Sequence, residues 1–314
     1  MDCKRCNLFM FVGLSAVITL ASALNNRPII GVLSQMTFGG FAKYGKTYIA
    51  ASYVKYLESA GARVVPILVN QPNEYYQKMF NSLNGVLFPG GGQDDLLKSG
   101  YGKAGKLFYE MSIKSFDATG DYFPVWGTCL GMELLSVLTA NKDLLADMDG
   151  DPVSLPLIFE KDFRKSQMYS AAPESIIKTL TMEDITYNHH HLGLTPTNFS
   201  NNAALTGFYR VLSSSFDKKG VKFISSMEAY KYPIYGVQFH PEKNCFEWKD
   251  VSIVHTQDAV KITQYFADFI VSEARKSSHA FSSEAEASSF LIYQHQPVYT
   301  GNSSSFEQAY FFSP

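Results

Sequence analysis

Between residues 29 and 141 the chain alternates short apolar runs with amphipathic stretches, and this alternation constrains the fold more than any other feature. It is the pattern of βα units that build a parallel sheet. Residues 29–33 read as a strand. Residues 48–59 read as a helix, with Ile49, Tyr53 and Leu57 four apart on one face and Gly61 as its stop. A second strand covers 63–69, a helix 73–82, a third strand 85–88, a helix 106–116, and a fourth strand 123–126 that ends at Gly127 before helix resumes at Leu130. Beyond Asn141 the alternation fades. Later strands are expected at 211–215, 222–226 and 234–239, and a helix at 256–273, with Val260, Ile262, Phe266 and Ile270 broadly on one side.

The 314 residues, 46% hydrophobic and 14% aromatic, support a substantial core. Twenty-seven Lys and Arg stand against 29 Asp and Glu with no long block of either sign, so nothing calls for nucleic acid. Lys4 and Arg5 precede an apolar run over 8–20 that closes on Ala21-Ser22-Ala23, the signature of a cleaved secretory signal over residues 1–23. The run is shorter than the roughly 18–20 residues of a membrane anchor, so no membrane association is expected after cleavage. Sequons at Asn198 and Asn302 agree with that route as glycosylation sites. Removal of the signal takes Cys3 and Cys6 with it. Cys129 and Cys245 remain, and a disulfide between them is one reading. The Ser-rich stretch 277–289 reads as a linker. The tail beyond it, with Phe290, Tyr293, Tyr299, Phe306, Tyr310 and Phe311, is too aromatic not to pack. With no internal repeat, residues 24–314 read as one α/β domain that includes the tail.

The chemistry centres on Gly127-Thr128-Cys129-Leu130-Gly131. Cys129 falls where a strand must turn sharply into a helix, between glycines that tolerate the strained backbone of a nucleophile elbow. The helix N-terminus behind it favours a thiolate, and the Leu130 amide is placed to receive an oxyanion. A buried structural cysteine is the competing reading. Pro89-Gly90-Gly91-Gly92 follows the third strand and offers further bare amides; without a following Gly-Lys-Ser/Thr or Gly-x-Gly-x-x-Gly, it does not read as a nucleotide-binding loop. A cysteine hydrolase needs a base and an orienting group. In Gln238-Phe239-His240-Pro241-Glu242, His240 and Glu242 are two apart in extended chain and project to one side. Asn188-His189-His190-His191 invites a metal reading, but three adjacent histidines diverge, and neither metal nor cofactor is expected.

The elbow, the glycine-rich turn and the segment Gly-Val-Gln-Phe-His-Pro-Glu-Lys at 236–243 resemble the class I glutamine amidotransferase superfamily. The stretches 48–63, 121–129, 227–242 and 299–302 resemble, within it, the γ-glutamyl hydrolase family. The resemblance implies a flavodoxin-like three-layer sandwich with a mainly parallel sheet, a homodimer, a secreted and lysosomal location, and hydrolysis of the poly-γ-glutamate tail of folates and antifolates. By the same resemblance Cys129 is the nucleophile, His240 the base, Glu242 its support and His190 a further active-site histidine. Gly91 and Leu130 form the oxyanion hole, and Glu133 and Gln238 contact substrate. Phe239 and Leu192 stand where tryptophans are expected, changes assigned to pocket shape. Lys103, Lys106, Lys161, Arg164 and Lys165 are candidates for holding the polyanionic tail. Two other readings remain open: a glutaminase subunit that feeds a synthetase, and a catalytically silent binding protein on the same fold.

Overall fold

The computed structural model describes residues 24–92 and 95–313; the signal segment lies outside them. The central sheet has eight strands: β1 (Ile29–Leu33), β2 (Arg63–Ile67), β3 (Val86–Phe88), β4 (Val125–Thr128), β5 (Ile158–Phe159), β6 (Tyr209–Phe216), β7 (Lys222–Ala229) and β8 (Ile234–Val237). Their order is β2-β1-β3-β4-β8-β7-β6-β5. The first five in that order pair in parallel, and β7, β6 and β5 extend the sheet antiparallel. Counted among parallel strands alone, the order is the 2-1-3-4-5 of flavodoxin-like folds.

Every residue of β1 is buried, because both faces of the sheet are covered. Ile29 and Leu33 pack with residues of α2 (Asn73–Ser82), α3 (Gly100–Thr119) and α4 (Leu130–Ala140). Ile30 and Val32 pack with residues of α1 (Ala51–Ser59) and α5 (Gln257–Ala274) on the other face. The result is a three-layer sandwich. No helix among the described residues is long and apolar enough to cross a membrane.

Where the elements differ from expectation, tertiary pairing is the reason. The expected helix at 48–59 begins at Ala51, because Thr47–Ala50 is a strand paired antiparallel with Gln308–Phe312 of the tail. An aromatic and β-branched segment takes that role once a partner edge exists. The Ser-rich stretch is not simply a linker, since Ser283 caps a short helix, Glu284–Phe290, by accepting the Glu286 N–H at 3.1 Å. Val260 is 44% exposed, leaving Ile262, Phe266 and Ile270 as the buried stripe of α5. An antiparallel pair, Ala146–Leu155 with Thr186–Gly193, went unread in the faded middle of the sequence.

The register decides the site. Gly127 and Thr128 of β4 lie opposite Gly236 and Val237 of β8 on one side, and Gly127 lies opposite Phe88 of β3 on the other. Cys129, the glycine-rich turn and the segment after Val237 therefore leave three adjacent strands at the same sheet edge.

Candidate active site

Cys129 has φ 51° and ψ −111°, a left-handed conformation that a residue with a Cβ adopts only under constraint. Its N–H donates to the Val237 carbonyl at 2.8 Å, and its carbonyl accepts the Glu133 N–H at 3.0 Å, so strand and helix grip it from both ends. The flanking glycines are sterically required. A Cβ on Gly127 would lie 2.5 Å from the Gly131 carbonyl carbon, and one on Gly131 would lie 2.1 Å from the Phe88 carbonyl oxygen. Cys129 and Cys245 are both free thiols, so the disulfide reading is overturned.

His240 is buried, its N–H tied to the Tyr187 carbonyl at 2.8 Å and its Nδ1 2.8 Å from Glu242 Oε1. Glu242 is fully buried, and an Nδ1–H donated to it leaves Nε2 as the free ring nitrogen. A Cβ on Gly90 would lie 2.5 Å from His240 Cε1 and 3.1 Å from Cys129 Cβ, so the glycine turn packs against both base and nucleophile. Burial pushes the Cys129 thiol well up, with the nearby Glu133 carboxylate adding to it, while the Leu130 amide and Lys243 oppose. Burial likewise pushes His240 down against the pull of Glu242. Both shifts favour a neutral thiol and imidazole at rest rather than the preformed ion pair expected of an elbow cysteine.

The glycine turn is fixed by side chains that sequence reasoning missed. Gln35 Nε2 donates to the Gly90 carbonyl at 2.8 Å, the Tyr53 hydroxyl accepts the Gly90 N–H at 2.7 Å, and the Tyr101 hydroxyl donates to the Pro89 carbonyl at 2.7 Å. Their types carry no sequence signal, because they join the site only through the sheet. Gly91 and Leu130 both line the cleft of about 370 Å³ that holds Cys129 and His240.

Glu133 lines the same cleft, with burial raising its carboxyl to about 7. Gln238 does not reach the cleft. It is fully buried behind Glu133, donating Nε2 to Glu133 Oε1 at 2.8 Å, so any effect it has on substrate passes through that carboxylate. His190 stands in the cleft wall with both nitrogens facing carbonyl oxygens, Leu192 O at 2.7 Å and Asn188 Oδ1 at 3.2 Å, and burial lowers it to about 4. What lies 4.0 Å from Cys129 Sγ on this strand is the His189 carbonyl. The His189 and His191 side chains turn to Asp151.

Other expectations divide. Leu192 lines the cleft, but Phe239 is buried in the core against Phe266, so its difference from tryptophan does not touch the pocket. None of Lys103, Lys106, Lys161, Arg164 and Lys165 lines the cleft; Lys106 pairs with Glu110, Arg164 with Glu174 and Lys165 with Asp162. The unforeseen cation there is Lys243, beside Phe306 of the tail. Asn302 is exposed in a turn, and Asn198 donates its side-chain amide to the Leu144 carbonyl at 2.8 Å.

A family model described as peptidase C26 matches residues 28–242. The γ-glutamyl hydrolases of Mus musculus and Homo sapiens are each 50% identical to this chain, over 92% and 91% of its length respectively and 90% of theirs. γ-Glutamyl hydrolase B of Dictyostelium discoideum is 40% identical over 99% of this chain and 90% of its own.

Proposed function

The chain belongs to the peptidase C26 family and within it to the γ-glutamyl hydrolases, and from that membership we propose that it cleaves the γ-glutamyl amide bonds of folate and antifolate poly-γ-glutamates with Cys129 as nucleophile. The observation that carries the reading is the left-handed Cys129 at a strand-to-helix turn, in one cleft with a buried His240 held by Glu242.

The Cys129 sulfur attacks the γ-carbonyl carbon as its proton passes to the free nitrogen of His240. The carbonyl oxygen takes up negative charge between the Gly91 and Leu130 amides. Collapse of that intermediate breaks the C–N bond, and His240 returns its proton to the leaving amine. Water then attacks the thioester, gives a proton to His240 and releases the γ-carboxylate, and the proton returns to sulfur. Glu133, held by Gln238, receives the nitrogen on the α-carbon of the glutamyl residue. His190 shapes the cleft wall. Because His240 is held neutral, it stays a competent base into mildly acidic conditions.

We propose further that residues 1–23 are a cleaved signal, that the mature chain is secreted and lysosomal, that Asn198 and Asn302 carry glycans, and that the chain acts as a homodimer. The sequence pattern supports the first, the pattern together with the family resemblance the second, the sequons the third, and the family resemblance the last. Mass analysis and light scattering of secreted chain test them together.

The function is tested by a product time course on a folate pentaglutamate. Release of glutamate or γ-linked glutamyl peptides is the expected outcome. Release of ammonia from free glutamine with no action on the pentaglutamate would favour a glutaminase instead.

A further inference from the structure

The catalytic segment and the C-terminal tail are tied together by a buried acid that the mechanism does not use. Directly after Glu242 the chain makes one short helical turn, Lys243–Phe246, and the residue that ends it, Glu247, is 1% exposed. Its carboxyl group accepts the Glu307 N–H at 2.6 Å. Two residues further on, exposed Lys249 donates Nζ to the Ser304 carbonyl at 2.6 Å. Between those two points the tail carries Ser305 and Phe306, and both line the catalytic cleft. The loop is also braced from within by buried Thr300, whose N–H donates to the Glu307 carbonyl at 2.8 Å and whose hydroxyl donates to the Phe306 carbonyl at 2.9 Å. A braced loop moves as a unit, so its outer ties decide where it sits.

Of those ties the Glu247 contact is the stronger. The Lys249 side chain lies in solvent, where water competes for its donors, whereas Glu247 is shielded and its loss would leave the Glu307 N–H without its partner. Glu247 does not itself line the cleft. We propose that Glu247 is a positioning residue for the hydrolysis, holding Ser305 and Phe306 in the cleft wall and so setting how tightly substrate is bound. The inference rests on the γ-glutamyl reading and goes beyond it, because it makes the tail a working part of the site. Contacts from such a wall act on bound substrate and transition state alike, so their loss falls on KM and spares kcat.

The test measures kcat and KM on folate pentaglutamate, at one pH, for wild type, Glu247→Gln, Glu247→Leu, Phe306→Ala and the double variant Glu247→Leu/Phe306→Ala. Alkylation of Cys129 by iodoacetamide reports the nucleophile in each. Glu247→Leu is expected to raise KM by roughly tenfold, with kcat and alkylation within about twofold of wild type. Glu247→Gln keeps an oxygen that accepts the Glu307 N–H and should recover most of the wild-type KM. Phe306→Ala should raise KM in the same way, and the double variant should add little to either single change, since both remove one wall. A structural defect alone would lower kcat through fewer active molecules and leave KM where it was. The proposal is overturned if Glu247→Leu lowers kcat without raising KM, if Glu247→Gln is as impaired as Glu247→Leu, or if the two changes multiply in the double variant. Phe306→Ala leaves the Glu247 contact intact, so an unchanged KM there overturns the proposal even if Glu247→Leu does not fold. A wild type that fails to cleave the pentaglutamate overturns the hydrolase reading, and this inference with it.

Discussion

Gln35 holds the Gly90 carbonyl through its side-chain amide at 2.8 Å, and so fixes the plane of the peptide whose other end is the Gly91 N–H. In a trans peptide the C=O and N–H point in opposite directions. With the carbonyl turned onto Gln35, the Gly91 amide must face away from that side chain. A residue with no part in bond making therefore fixes the peptide that carries one of the two proposed oxyanion donors.

Replacing Gln35 by Glu puts an acceptor against the Gly90 carbonyl and should lower kcat by roughly tenfold to a hundredfold, less than the 10²–10³ cost of losing a donor outright. KM and the rate of Cys129 alkylation, which needs no oxyanion hole, should stay near wild type. Equal loss in alkylation would mean that the variant disturbs the nucleophile instead.

Cys129→Ala should abolish product release from a folate pentaglutamate while leaving a folded protein. Cys129→Gly should also be inactive yet more stable than the alanine variant, because glycine accepts φ 51° without strain. A gain of about 1 kcal/mol, or roughly 2–4 °C in Tm, is expected from thermal melting. A lower Tm for the glycine variant would show that the elbow is not strained.

His240 must be neutral to take the thiol proton, and burial holds its pKa below the ordinary imidazole value. The acid limb of kcat/KM should therefore lie below about pH 6.5, with activity falling as pH drops through it. Glu242 raises the His240 pKa, so Glu242→Gln should move this limb to still lower pH while reducing kcat by roughly a hundredfold through loss of the oriented tautomer. An unmoved acid limb would separate the Glu242 charge from the base.

Glu133 ionises as pH rises through about 7. For a γ-glutamyl dipeptide with a free α-ammonium, KM should fall across that range, since only the carboxylate pairs with the cation. Glu133→Gln should flatten the dependence. Measuring KM from about pH 5.5 to about pH 8.5 in both proteins decides it; a flat wild-type profile would remove Glu133 from substrate contact.

Much of the sheet was legible because burial on both faces forces apolar strands between amphipathic helices. The 73–82 helix and the β1 strand fall where periodicity puts them. The helix expected at 48–59 shows the limit: Thr47–Ala50 has the local character of either element, and only the tail strand, more than 250 residues away, settles it.

The strand-to-helix turn at Cys129 and the pairing of His240 with Glu242 were legible in sequence, because glycine tolerance and two-residue spacing are local properties. Tertiary structure decided that Gln238 lies behind Glu133 rather than in the cleft. It also decided that His190 turns Nδ1 to the Leu192 carbonyl and Nε2 to the Asn188 side chain, and that Gln35, Tyr53 and Lys243 join the site. The physical reason is the same in each case: side-chain direction and partners depend on strand register between segments distant in the chain, and register is a property of the assembled sheet.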